Sequence, residues 1–161
     1  MQYPILTDGI FLIKQAEGLR LKAYPDSGGI YTIGYGHTKN VKPTDVISEL
    51  QAELFLVEDL LDTLKDLKKY VKVPIDAFQK AALASFIFNL GGSKFRKSTL
   101  CRLLNEEKYS EAVDQFGRWI YGKDTKGKVI TFPGLLKRRK AEAKLFQGIG
   151  WGIISKKWDL T

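Results

Sequence analysis

Cysteine is nearly absent from this chain of 161 residues: Cys101 is the only one, so no intramolecular disulfide can form and the fold must hold in a reducing compartment. Cys101 itself reads as a small core residue. Long apolar runs are missing too. The longest near the N-terminus is Ile10-Phe11-Leu12-Ile13, broken by Lys14, and no stretch reaches the ~18 residues that a spanning helix requires. A signal peptide, an anchoring segment and stable membrane attachment are therefore not expected, and the chain is expected to stay in the cytoplasm where it is made. If its substrate lies outside, something else must provide passage. Segments rich in Ser, Gly or Pro and internal repeats are also lacking, which excludes a linker or a disordered chain. Acidic residues are in deficit, 18 against 26 Lys and Arg, for a formal charge of +8. That balance favours polyanionic surroundings such as nucleic acid, anionic lipid or an acidic wall polymer. No recognition motif accompanies the charge, so nucleic acid is not an expected partner.

What is present, 44% hydrophobic and 12% aromatic residues, suffices for one compact unit. A short amphipathic helix is expected from Thr7 to Gly18, capped by Thr7 or Asp8 and stopped by Gly18. Residues 20 to 36 alternate and carry turn signals, which predicts two or three short antiparallel strands. Thr44 is a plausible cap for a long helix to about Tyr70, on which Ile47, Leu50, Leu54, Val57, Leu61, Leu64 and Leu67 recur at helical spacing. These side chains are expected to be core or bridging contacts. Shorter helices follow at about 76–90, 96–107, 109–121 and 134–147, the first of them apolar nearly all round and hence central.

Eight residues separate Glu17 from Asp26, and five separate Asp26 from Thr32. Fully extended, the two carboxylates would be about 30 Å apart, but Pro25-Asp26-Ser27-Gly28-Gly29 spells a reversal that can bring them across a cleft. Glu17 falls on the last turn of its helix, where the negative end of the helix dipole disfavours an ionised carboxylate, the direction a proton donor needs. Two carboxyls in different surroundings can divide acid and base duties, as glycoside hydrolysis requires. Thr32, on the strand face away from Tyr31, Ile33 and Tyr35, can hold a water beside Asp26; it also suits a strand simply as a β-former.

The run from Glu17-Gly18 through Tyr24-x-Asp26 to Thr32-Ile33-Gly34-Tyr35-Gly36-His37-Thr38 resembles the catalytic segment of phage-type lysozymes, glycoside hydrolase family 24. Later blocks look like that family's in the same order: Ala82-Leu83-x-Ser85-Phe86-x-Phe88-Asn89-x-Gly91, Phe95-x-x-Ser98-Thr99-Leu100, and Gly134-Leu135-x-x-Arg138-Arg139-x-Ala141-Glu142-x-x-Leu145-Phe146. The resemblance spans residues 10 to about 147. It implies an α+β, predominantly helical, two-lobed lysozyme-like fold as a single domain over 1–161. An N-terminal lobe at about 8–43 would hold a small antiparallel sheet, a connecting helix would run about 44–70, and a helical lobe would occupy about 74–161. It also implies an endolysin that cleaves the β-1,4 bond between N-acetylmuramic acid and N-acetylglucosamine in peptidoglycan, with inversion. Glu17 matches the family's proton donor, Asp26 the residue assisting at the anomeric carbon, and Thr32 the hydroxyl that places water. No metal or organic cofactor is implied. The chain would act as a monomer on glycan strands and depend on a holin to leave the host cytoplasm for the wall.

Substrate contacts carried over by the resemblance are Thr38, Phe88, Asn89 and Ser98. Phe88 also reads as core, and Asn89 and Ser98 as helix caps. His37, the only histidine, reads as a structural hydrogen-bonded or ion-paired residue. Lys137, Arg138, Arg139 and Lys140 read as a solvated basic face or as an attraction for the acidic wall. The tail Trp151 to Trp158 is expected to pack back on the rear lobe, with membrane headgroups as its other possible contact. A lytic transglycosylase, which needs one acid only, and a non-catalytic cationic wall- or membrane-binding protein are the competing functions; Asp26 and Thr32 speak against the first.

Overall fold

The computed structural model describes residues 4–160; residues 1–3 and 161 lie outside that description. Helix α1 spans Pro4–Glu17, so it begins before the expected Thr7. Proline suits a first helical turn, whose N–H groups have no partner within the helix. Thr7 and Asp8 consequently lie inside α1, and Asp8 accepts the Trp151 N–H at 3.1 Å. Gly18 stops the helix as expected, with φ +70° and its N–H returning to the Lys14 carbonyl at 2.9 Å. That left-handed geometry is cheap for glycine alone. Glu17 is thereby fixed as the last helical residue.

Strands β1 (Arg20–Pro25) and β2 (Tyr31–Gly34) pair antiparallel, Tyr24 opposite Thr32 and Pro25 opposite Tyr31. A third segment joins β1 through the Lys22–Val46 bridge, with Ala23 N–H donating to the Asp45 carbonyl and Ile47 N–H to that of Leu21. Because residues 45–47 are held there, Thr44 cannot cap the following helix. Helix α2 starts five residues later than expected and runs Glu49–Tyr70, about 33 Å. Ser48 is its cap: the hydroxyl accepts the Gln51 N–H and the Gln51 side chain accepts the Ser48 N–H.

The apolar periodicity of α2 points outward as well as inward. Ala52, Leu56, Leu60, Thr63 and Leu67 form its buried face, whereas Leu50, Leu54, Val57 and Leu61 are 52–69% exposed. A helix with two apolar stripes satisfies the same periodicity with either one inside, and the expectation took the wrong one for four positions. Leu56→Ala is accordingly expected to cost roughly 2–5 kcal/mol in urea unfolding, and Leu54→Ala to stay within about 0.5 kcal/mol. Equal costs would contradict this assignment of faces.

Helix α3 (Ala77–Leu90), capped by Asp76 and Gln79, is buried on every side from Ala81 to Ile87. The expected helix 96–107 is two helices, α4 (Gly92–Lys97) and α5 (Thr99–Asn105). Ser98 divides them because it is extended and its hydroxyl caps α5 through the Cys101 N–H. The expected helix 109–121 shortens to α6 (Tyr109–Val113) and a 3-10 turn at Phe116–Arg118. A second hairpin, β3 (Tyr121–Lys123) with β4 (Val129–Thr131), was not foreseen. Helix α7 (Pro133–Phe146), helix α8 (Trp151–Ile154) and a 3-10 turn (Ser155–Leu160) complete a mainly helical α+β fold with two small antiparallel sheets.

The main core gathers around Phe86, whose ring meets Phe95, Phe116 and Trp119 edge-on at centroid distances of 6.2, 5.4 and 5.8 Å. Cys101 is buried in it, and that burial pushes its thiol pKa up. The tail does fold back: Trp151 and Trp158 pack against the same core, 5.8 Å apart. A smaller cluster of Ile13, Leu56 and Leu60 joins α1 to α2, with Tyr35 and Phe88 packed on it.

Candidate active site

The site begins at the end of α1. β2 leads into the turn Gly34-Tyr35-Gly36, closed by reciprocal 2.9 Å bonds between Ile33 and His37. Gly36, at φ +82°, lies so near Glu17 that a Cβ there would sit 2.9 Å from Glu17 Oε2. Only glycine lets this turn close over the carboxylate. On the other oxygen, Arg138 Nη1 donates to Glu17 Oε1 at 2.5 Å, from a side chain only 3% exposed, while Glu17 remains 22% exposed. A cation against the carboxylate works in opposition to the negative helix end that the sequence pointed to.

Asp26 sits in the β1–β2 loop, partly buried, and its Oδ1 accepts the N–H groups of Gly28 (2.8 Å) and Ile30 (2.9 Å). Thr32 is buried on β2 opposite Tyr24, its hydroxyl donating to the Ile30 carbonyl at 3.1 Å. The same loop recurs at the other hairpin. Asp124 Oδ1 accepts the N–H groups of Lys126 and Lys128, both at 2.9 Å, and Gly29 and Gly127 share φ +79°. These bonds are thus a device for turning the chain, and any chemistry at Asp26 must come from where the loop is placed. Six residues after Asp124 stands Ile130, where the first hairpin has Thr32.

Gly36, which lies against Glu17, also lines a cleft of about 220 Å³ with Thr38 and Phe88 and with Asp59, Asp62 and Asp66; Glu17, Asp26 and Thr32 are not themselves on its lining. Thr38 is exposed there and Phe88 half-buried. Asn89 instead accepts a hydrogen bond from Arg139 Nη2. Ser98 is buried, its hydroxyl donating to the Phe95 carbonyl at 2.6 Å and accepting from Cys101 N–H at 3.0 Å. Of the four contact residues named from the sequence, two therefore line the cleft and two have local partners. Among the described residues no group of three or more His, Cys, Asp or Glu is placed to share a metal ion.

His37 is structural, as expected: it is buried, stacked on Phe55 at 4.2 Å, with Nδ1 2.8 Å from Asp59 Oδ2 and Nε2 3.0 Å from the Lys39 carbonyl. Two oxygen partners require two protons shared by His37 and Asp59. Burial raises the Asp59 pKa, partly offset by the hydrogen bond and charge of His37. A carboxyl whose folded pKa is raised contributes most to stability below its unfolded value, and that contribution fades as pH climbs through the folded value. The destabilisation caused by Asp59→Asn is expected to be larger near pH 4 than at pH 7 in urea unfolding; a larger cost at pH 7 would reverse this sign.

The basic run on α7 is divided: Lys140 is exposed and Lys137 half-buried, but the arginines between them do not face solvent. Arg138 and Arg139 are 3% and 1% exposed, and both reach Glu142, itself fully buried: Arg138 Nε to Oε1 at 3.2 Å, Arg139 Nη1 to Oε2 at 2.5 Å. Ser85 Oγ donates to the same Glu142 Oε1 at 2.7 Å. Buried charges survive when paired and fully hydrogen-bonded. The spacing Arg138, Arg139, Glu142 on one helix face was the available signal, since residues three and four apart meet; the partner Glu17 is too distant in sequence to be inferred that way.

The phage lysozyme family matches this chain over residues 14–142. An endolysin of Acyrthosiphon pisum secondary endosymbiont phage 1 is 46% identical over 139 residues, covering 86% of this chain and 94% of that protein. The endolysin of Salmonella phage P22 is 43% identical over 149 residues, covering 88% of this chain and 97% of the relative. Among solved structures, the muramidase domain of SpmX from Asticaccaulis excentricus superposes with a TM-score of 0.80 at 33% identity, over 86% of this chain and 93% of that one.

Proposed function

The chain belongs to the phage lysozyme family and is an enzyme of that family, and on this premise we propose that it is a muramidase hydrolysing the β-1,4 bond between N-acetylmuramic acid and N-acetylglucosamine in peptidoglycan. The observation that carries the proposal is the setting of Glu17: one oxygen held by Arg138, the other against Gly36, which itself lines the cleft. Protonated Glu17 gives its proton to the glycosidic oxygen as the bond from the anomeric carbon breaks. Asp26, ionised, and the Thr32 hydroxyl orient a water whose oxygen bonds that carbon from the opposite face and whose proton passes to Asp26. The product is then inverted. Thr38 and Phe88 are proposed as sugar contacts, and Asn89 and Ser98 as residues that shape the cleft wall through their local bonds.

Two lobes, about 8–43 and about 74–161, joined by α2, are the arrangement we propose for the cleft. Monomeric action on glycan strands, and release from the host cytoplasm by a separate holin, belong to the same proposal. Digestion of purified peptidoglycan tests it. Reducing-end muropeptides by mass spectrometry, with α-configured ends in early NMR spectra, are expected. Anhydro ends would make the protein a transglycosylase, retained β ends would remove the inverting mechanism, and no release would leave a wall-binding protein.

A further inference from the structure

We propose, resting on the assignment of Glu17 as proton donor, that Glu142 is a positioning residue: a buried carboxylate whose negative charge keeps the two arginines of α7 from holding Glu17 in its ionised form. The residues concerned form one connected cluster. Arg138 divides its guanidinium among Glu17 Oε1 (Nη1, 2.5 Å), Glu142 Oε1 (Nε, 3.2 Å) and the Ser85 carbonyl (Nη2, 3.0 Å). Arg139 divides its own among Glu142 Oε2 (Nη1, 2.5 Å), Asn89 Oδ1 (Nη2) and the Trp119 carbonyl (Nε, 3.1 Å), with its cation 4.9 Å from the Phe86 ring centroid. Two formal positive and two formal negative charges balance, and of the four side chains only that of Glu17 has appreciable contact with solvent.

Interactions between charges weaken less with distance in a poorly solvated interior than in water. Neutralising Glu142 would leave two cations facing one anion, and the surplus would stabilise ionised Glu17, the form that cannot donate a proton. Around this cluster α3 contributes the neutral groups Ser85 and Asn89, and Gly36 contributes backbone; Lys14 of α1 and Glu53 of α2 are paired with each other at 2.6 Å, and Asp59, Asp62 and Asp66 of α2 line the cleft, unchanged in every variant below. Glu142 therefore acts on Glu17 through Arg138 and needs no contact with substrate.

The test is the pH dependence of kcat and KM on soluble peptidoglycan fragments for wild type, Glu142→Gln, Asn89→Asp and the double variant Arg139→Gln/Glu142→Gln, with Glu17→Gln alongside. The alkaline limb of kcat in Glu142→Gln is expected to move about one pH unit lower, a tenfold loss above the wild-type limb with KM within twofold. The double variant, again charge-balanced, returns the limb to its wild-type place. Asn89→Asp, which adds a carboxylate against Arg139, moves it upward, and decides the matter if Glu142→Gln does not fold. A limb that stays put in Glu142→Gln, or in Asn89→Asp where that variant decides, or a loss equal at every pH, overturns the proposal while leaving the muramidase assignment intact. Activity surviving in Glu17→Gln overturns the acid assignment and this inference with it.

Discussion

Glu17→Gln is expected to lower kcat on purified peptidoglycan by about a thousandfold or more, with KM little changed. Glutamine keeps the shape of the side chain and an oxygen to accept from Arg138, so the turn at Gly36 and the cleft beside it should be retained. What it lacks is a proton to give, and general-acid assistance is worth roughly 10²–10⁴ in rate, to which poor departure of an unprotonated sugar alkoxide adds. The variant also imitates a state the working enzyme must visit, because protonated Glu17 is equally neutral beside Arg138. Its fold should therefore persist, at a modest loss of stability from the missing charge against Arg138. Circular dichroism of the variant and reducing-end release over a long time course check both halves. Release at a rate within tenfold of wild type would remove Glu17 from the role of acid.

Parts of this site were legible because they rest on local chemistry. Gly18 marks the end of α1 through a backbone angle that other residues avoid, and that places Glu17 on the last turn. The reversal at Asp26 to Gly29 is written in turn residues of the same kind. Yet Asp124-Thr125-Lys126-Gly127-Lys128 carries the same turn chemistry and was passed over, since strands of three residues such as Tyr121–Lys123 leave almost no alternation to detect. The turn locates an aspartate; it does not say whether that aspartate meets a cleft. Helix α2 shows a related ambiguity, because burial is a property of the neighbours, and Leu54 and Leu56 differ only in what packs on them. Arg138 and Arg139 were misjudged for a further reason. Burial of a charge depends on partners elsewhere in the chain, and Glu17 lies 121 residues from Arg138.

Arg139→Met should be the most damaging single change to stability in this region, about 3 kcal/mol or more. The guanidinium is 1% exposed, and removing it strips a donor from Glu142 Oε2, from Asn89 Oδ1 and from the Trp119 carbonyl at once, along with the cation above Phe86. Truncating one partner of a buried pair costs roughly 3–5 kcal/mol, because the remaining charge stays desolvated. Arg138 and Ser85 still bond Glu142 Oε1, which keeps the expected value at the lower end of that range. For a chain of 161 residues each kcal/mol moves the melting temperature by about 2–4 °C, so a fall of roughly 6–12 °C is expected. Replacing Glu142 as well, in Arg139→Met/Glu142→Leu, should be less harmful than the sum of its single changes, since the carboxylate oxygen left without its Arg139 donor is gone and the pair is replaced by apolar groups of similar size. Strict additivity in that double-mutant cycle would mean that Arg139 stabilises the fold through Asn89, Trp119 and Phe86 alone, and that its bond to Glu142 carries no coupling energy.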